Sequence, residues 1–156
     1  MAEGVYALGA ERNPNTVRLQ SYAPAFANLN KYEWNPTIIA FTANPNDTLL
    51  SASYWEQWLF GRHRGTQVLP VANTQGDFNP LFWVATIDVP LNLIYLKVIN
   101  AGNNTVPLSV DLDCPYGNVN GTILVCQDPV LSFLHRLLVY AVLSTAINAR
   151  ATADGR

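Results

Sequence analysis

Four glutamates, Glu3, Glu11, Glu33 and Glu56, are the side chains with which this sequence could do acid–base chemistry. Two carboxyls about 5 Å apart can cleave a glycosidic bond, one as nucleophile and the other as proton donor. Their spacing brings no two of them together. Glu3 and Glu11 read as surface positions of one helix, Glu56 as a helix-cap residue and Glu33 as a loop residue. His63 and His135 each stand beside an arginine, a poor setting for a metal ion, so both read as helix-end or solvent-facing. No serine occupies a G-x-S-x-G turn, and no glycine-rich phosphate loop is present. The residues therefore assign no catalytic group, no metal ligand and no cofactor.

Aromatic side chains offer a second kind of chemistry, stacking against sugar rings. Trp55 and Trp58 fall in a helical apolar stripe and read as core. Trp34, in a loop before Asn35 and Pro36, is the candidate cleft residue, and Trp83 is a further possible platform. Three N-x-S/T triplets, at Asn46, Asn103 and Asn120, are candidate glycosylation sites, with Asn103 at a polar hairpin tip the most accessible. Cys114 and Cys126 flank a hairpin-like stretch. A bridge there would contribute about 3 kcal/mol on the chain-entropy account, and two free thiols are the other reading.

The elements that must position these residues divide at Gly65. Residues 1–11 read as a helix, and Thr37 to Thr42 (TIIAFT) as a short strand buried on both faces. Ser53 with Glu56 fits a capping box for a helix that runs to Arg64, with Gly65 as its C-terminal cap. Strand, loop and helix make half of a βαβ unit. Beyond Gly65 the period changes from helical to alternating. Phe82 to Ile87 is apolar on both faces. Leu93 to Ile99 places Ile94, Leu96 and Val98 on one face, Tyr95 and Lys97 on the other. Val106 to Leu112 alternates, and Val119 to Cys126 completes a strand meander of sandwich type. Val130 to Ile147 is largely apolar but carries His135 and Arg136. It is a marginal membrane span, better read as a helix packed on the sandwich or as a stretch without a partner.

Composition narrows the classes. Hydrophobic residues are 49% of the 156, as in an ordinary globular protein. Charged residues are 13%, with nine basic against eleven acidic. No basic stripe exists, which argues against nucleic-acid binding. A surface built from Asn, Thr, Ser and Gln suits a secreted or carbohydrate-active protein. The first residues carry Glu3 and lack an apolar core, so they do not form a signal peptide.

Several blocks in order carry a family resemblance: AEGVYALGAERN, SYAPAFANLNKYEWNPTIIAFTANPN, SYWEQWLFGRHRGTQVLP, GDFNPLFWVATID and IYLKVINAGNNTVPLSVDL. Over about Ala2 to Thr122 the chain resembles the C-terminal portion of fungal and plant α-L-arabinofuranosidases of glycoside hydrolase family 51. The resemblance implies an α/β part joined to an all-β part. Residues 1–65 would be the last strand and helix of a catalytic (β/α)8 barrel, and 66–128 a partial jelly-roll-like sandwich. Residues 129–156 would be a divergent apolar tail. It further implies an extracellular enzyme that releases terminal arabinofuranosyl residues from arabinan or arabinoxylan by a retaining mechanism. In that family the acid/base Glu follows Asn and the nucleophile Glu follows Gly. Here the four predecessors are Ala2, Ala10, Tyr32 and Trp55, so this chain is expected to be inactive alone, as a segment of a longer or misjoined frame. It is also expected to be marginally stable alone. The alternatives are a non-catalytic sandwich that binds arabinose-containing polysaccharide through Trp34 or Trp83, and a remnant tethered to a membrane by its tail.

Overall fold

A computed structural model describes residues 2–31, 34, 36–72, 78–104, 106, 108 and 110, and the backbone of 119–127 and 137–145. Helix α1 (Ala2–Arg12) and helix α2 (Ala52–Arg62) pack on one another and on a five-stranded sheet. A second sheet has three short strands, β1 (Phe26–Asn28), β2 (Ile39–Phe41) and β3 (Leu49–Leu50), in that spatial order. In it β1 and β2 run parallel, whereas β2 and β3 run antiparallel.

The larger sheet is antiparallel throughout. Its strands are β4 (Gln67–Leu69), β5 (Leu81–Asp88), β6 (Leu93–Asn100), β7 (Val119–Gln127) and β8 (Leu137–Thr145), arranged β4-β5-β6-β8-β7. The β5–β6 hairpin pairs all eight residues of each strand, Leu81 with Asn100 through Asp88 with Leu93. Its turn closes when the Asp88 carboxylate accepts from Leu91 N–H, and Asn92 takes the left-handed conformation (φ 54°) that asparagine tolerates.

Alternation along β5 and β6 separates two cores. Val84, Tyr95 and Ile99 face the helices and pack with Leu8 and Leu59, flanked by Val5 and Phe60. Ala85, Leu96 and Val98 face the other way, against Leu69, Leu81 and Trp83. Two glycines permit the close layering. A Cβ at Gly4 of α1 would lie 2.6 Å from Ile99 Cδ1, and one at Gly65 would lie 2.7 Å from the Ile87 amide nitrogen. At Gly4 the clash is with a side-chain tip that can turn aside, whereas at Gly65 it is with backbone, so it is there that glycine lets the start of β4 settle on β5.

Several expectations are corrected here. The N-cap of α2 is Ser51, whose hydroxyl accepts from Tyr54 N–H, so Ser53 and Glu56 form no capping box. The helix ends at Arg62 with His63 as its C-cap, and Gly65 serves close approach to β5 rather than capping. The TIIAFT strand is not buried on both faces: Phe41 is exposed and Ile39 and Ala40 are half-buried. Lys97 lies on the strand face that the alternation gives it, and that face is buried: Lys97 is 1% exposed. Val106, Leu108 and Val110 lie outside any strand, with Leu108 and Val110 exposed, because their alternation finds no neighbouring strand among the described residues. The tail is neither a helix nor unpartnered at Leu137–Thr145, which lies as β8 between β6 and β7. Among the described residues no helix is long and apolar enough to cross a membrane.

Candidate functional site

Helix α1 presents its carboxylates to the protein interior, where two separate polar clusters form. The first lies in the seam between α1 and α2. Glu3 accepts from Ser53 Oγ and from Gln57 Nε2, each at 2.8 Å, so both its oxygens are engaged by the facing helix. Glu56 lies alongside, under the backbone of Gly4, with its Oε1 buried and without a hydrogen-bond partner. Burial first, and the neighbouring Glu3 carboxylate second, push the Glu56 carboxyl up to about 7. A carboxyl in that position keeps its proton near neutrality because an unpaired buried charge beside another charge is costly.

The second cluster lies one helix length away. Glu11 receives Lys97 Nζ at 2.6 Å, an ion pair in which both side chains are largely buried. Thr86 links this pair to the chain turn, donating to Glu11 Oε1 and accepting from Gly65 N–H. The Lys97 ammonium also lies 4.7 Å over the Phe60 ring. Burial lowers the Lys97 pKa, and the Glu11 charge and hydrogen bond oppose that fall. Beside this pair opens a cavity of about 570 Å³, bounded by both helices, the 14–20 segment and β4.

The structure brings together Glu3 and Glu56, which sequence spacing alone keeps apart, and buries Glu11. The signals in the sequence were Gly4 beside Glu3, marking close helix approach, and a single lysine in an otherwise apolar strand. Glu33 and His135 lie outside the described residues. His63 caps α2 and packs edge-on against Trp58 and Tyr95. Burial, and after it the charges of Lys97 and Arg62, lower its pKa. Among the described residues no cluster of His, Cys, Asp and Glu could hold a metal ion.

Trp34 is 71% exposed, on the approach to β2. Trp83 forms no exposed platform: it packs 4.2 Å from Phe78, and its carbonyl accepts from Arg12. Trp55 and Trp58 are not core residues. They are 46% and 38% exposed and form an edge-to-face run with Tyr54, since α2 buries Leu59 against the sheet and leaves the tryptophans on its flank. Asn46, in the 3-10 turn Pro45–Asp47, and Asn103, in the loop after β6, are both exposed. The side chains of Asn120 and Cys126, and all of Cys114, lie outside the described residues.

Residues 1–131 match the family model described as the α-L-arabinofuranosidase C-terminal domain. The chain is 37% identical over 131 residues to α-L-arabinofuranosidase A of Aspergillus niger, and 36% identical to that of Aspergillus kawachii. Each alignment covers 83% of this chain and 20% of the relative, so the chain spans about a fifth of the length of the curated relatives it matches. The fold is similar to that of an arabinose-bound family GH51 α-L-arabinofuranosidase, with a TM-score of 0.74 at 23% identity. That likeness covers 90% of this chain and 26% of the other.

Proposed function

The chain belongs to the α-L-arabinofuranosidase C-terminal domain family, and from that premise we propose that it serves as the non-catalytic closing part of an enzyme that hydrolyses terminal α-L-arabinofuranosyl residues. Its substrates would be arabinose-containing plant polysaccharides. The observation that carries this reading is the fate of the described carboxylates. Glu3 is held by Ser53 and Gln57, and Glu11 is locked to Lys97. Glu56 is wedged beneath the backbone of Gly4. Glu3 and Glu11 tie the helices to each other and to the sheet, Glu56 lies unpaired in the helix seam, and of the three only Glu11 reaches the cavity wall, where Lys97 neutralises it. Retaining hydrolysis needs two carboxyls that reach one anomeric carbon.

Within this reading, residues 1–65 would contribute the last strand and helix of a catalytic (β/α)8 barrel. Residues 66–128 would form the sandwich, and 129–156 would be a divergent extension. The parallel pairing of β1 with β2, followed by α2, supports a barrel origin for the first part. An extracellular location is the matching proposal, supported by a surface poor in charge and by exposed Asn46 and Asn103. Expression in a fungal secretory host followed by enzymatic deglycosylation would then shift the mass at those two positions.

A segment exchange tests the function. Residues 1–131 replace the aligned segment of the Aspergillus niger enzyme, and turnover of 4-nitrophenyl α-L-arabinofuranoside is measured for the chimera and for this chain alone. The chimera is expected to turn over and the isolated chain to give only the buffer rate. A folded but inactive chimera, or an active isolated chain, contradicts the proposal.

A further inference from the structure

The cavity beside the Glu11–Lys97 pair has an unbalanced charge. Its wall carries Arg18 from the segment after α1 and Arg64 from the segment after α2. The carboxylate on that wall is Glu11, which Lys97 already neutralises at 2.6 Å. Among the described residues neither arginine has an ion pair or a hydrogen bond. Two arginines thus line a concave surface whose one acid is already committed, and concave walls concentrate such a field. Gln20 and Gln67 add uncommitted amides to the same wall, while Phe60 contributes an apolar face.

We propose that this cavity binds a small sugar acid. Arg18 and Arg64 hold its carboxylate, the amides of Gln20 and Gln67 meet its hydroxyls, and Phe60 meets the ring's C–H face. Guanidinium forks match a carboxylate in two-point hydrogen bonding, and amides that both donate and accept suit vicinal hydroxyls. At about 570 Å³ the cavity falls within the usual size of small-molecule sites. All of its walls come from residues 7–86, inside the stretch that matches the family model, so the cavity is internal to the domain. This proposal is independent of the hydrolytic reaction. A sugar phosphate presents a related anion on a related ring, and the probes below separate the two.

Isothermal titration of the full chain with glucuronate, glucose and inorganic phosphate tests it. Glucuronate is expected to bind saturably, with phosphate and glucose each at least about tenfold weaker, a difference of one hydrogen-bonded charge. Arg18→Gln and Arg64→Gln should each weaken glucuronate about tenfold. Both arginines are exposed, so the circular dichroism spectrum should not change. The proposal is overturned if glucuronate does not saturate, if glucose binds equally, or if the double variant binds undiminished. Phosphate binding tighter than glucuronate overturns the sugar acid in favour of a phosphorylated ligand.

Discussion

The two sheets of this molecule treat apolar residues in opposite ways. Strands β5 and β6 bury both faces, and even Lys97 is taken inside and paired with Glu11. In the three-stranded sheet Phe26 is 66% exposed and Leu49 59%, although their residue types are those of a core. Leu50 and Phe41 are exposed beside them. The larger sheet has cover on its helix-facing side from α1 and α2, whereas the smaller one has strands of two or three residues that leave several large apolar side chains exposed. The difference teaches that one part of the chain holds its own packing partners while the other leaves apolar side chains uncovered, in keeping with the proposed barrel remnant.

That contrast can be broken at four points, and the largest effect lies in the buried pair. Glu11→Ala leaves the Lys97 ammonium buried without a counter-charge and should cost about 3–5 kcal/mol in urea unfolding. The double variant Glu11→Leu with Lys97→Met should recover most of that loss, because it removes the charge that has to be paired. Recovery would sharpen the view that the pair positions α1 rather than stabilising the fold outright.

Next in size is Gly65→Ala. Its Cβ would meet the Ile87 amide nitrogen at 2.7 Å and the Ile87 carbonyl oxygen at 2.8 Å. Backbone cannot rotate away as a side chain can, so a loss of about 1–3 kcal/mol is expected in thermal unfolding. Gly9→Ala is the control, since nothing lies within 4 Å of that position.

Glu56 makes the seam between the helices sensitive to pH. Its carboxyl is raised from 4.5 to about 7 by burial and by Glu3, so between those values the folded chain binds a proton that the unfolded chain has lost. The resulting stability is present in full below about 4.5 and is lost as pH rises through about 7. Urea midpoints measured across that window should fall for the parent chain. For Glu56→Gln the Glu56 contribution to that slope should vanish, and an unchanged slope would remove Glu56 as its source.

Smallest is the effect of Phe26→Ser or Leu49→Ser, each within about 0.5 kcal/mol, since an exposed side chain has little to lose. A loss of several kcal/mol would mean that the small sheet is covered after all.

The fold was legible in the sequence where period and length agreed. The helix over residues 1–11, the helix after Leu50, and the β5, β6 and β7 strands are all present within a residue or two. What misled was local chemistry with more than one use. Ser51 and Ser53 could each begin the helix; Ser51 caps it, and Ser53 sits in its first turn with its hydroxyl donating to Glu3. Lys97 alternates correctly but faces a helix layer whose Glu11 the pattern could not place. Apolar runs do not distinguish strand from helix, which is why the tail read as a helix although Leu137–Thr145 pairs as a strand. The candidate site was less legible, because Glu3 and Glu56 stand in different helices with all of β1, β2 and β3 between them in sequence, and meet through helix packing at Gly4.

Native-state hydrogen exchange resolved by residue tests the contrast between the sheets most directly. Amides of β5 and β6 are expected to exchange only through global unfolding, while those of β1, β2 and β3 exchange orders of magnitude faster. Uniform protection across both sheets would contradict it, because the small sheet would then be as complete as the large one.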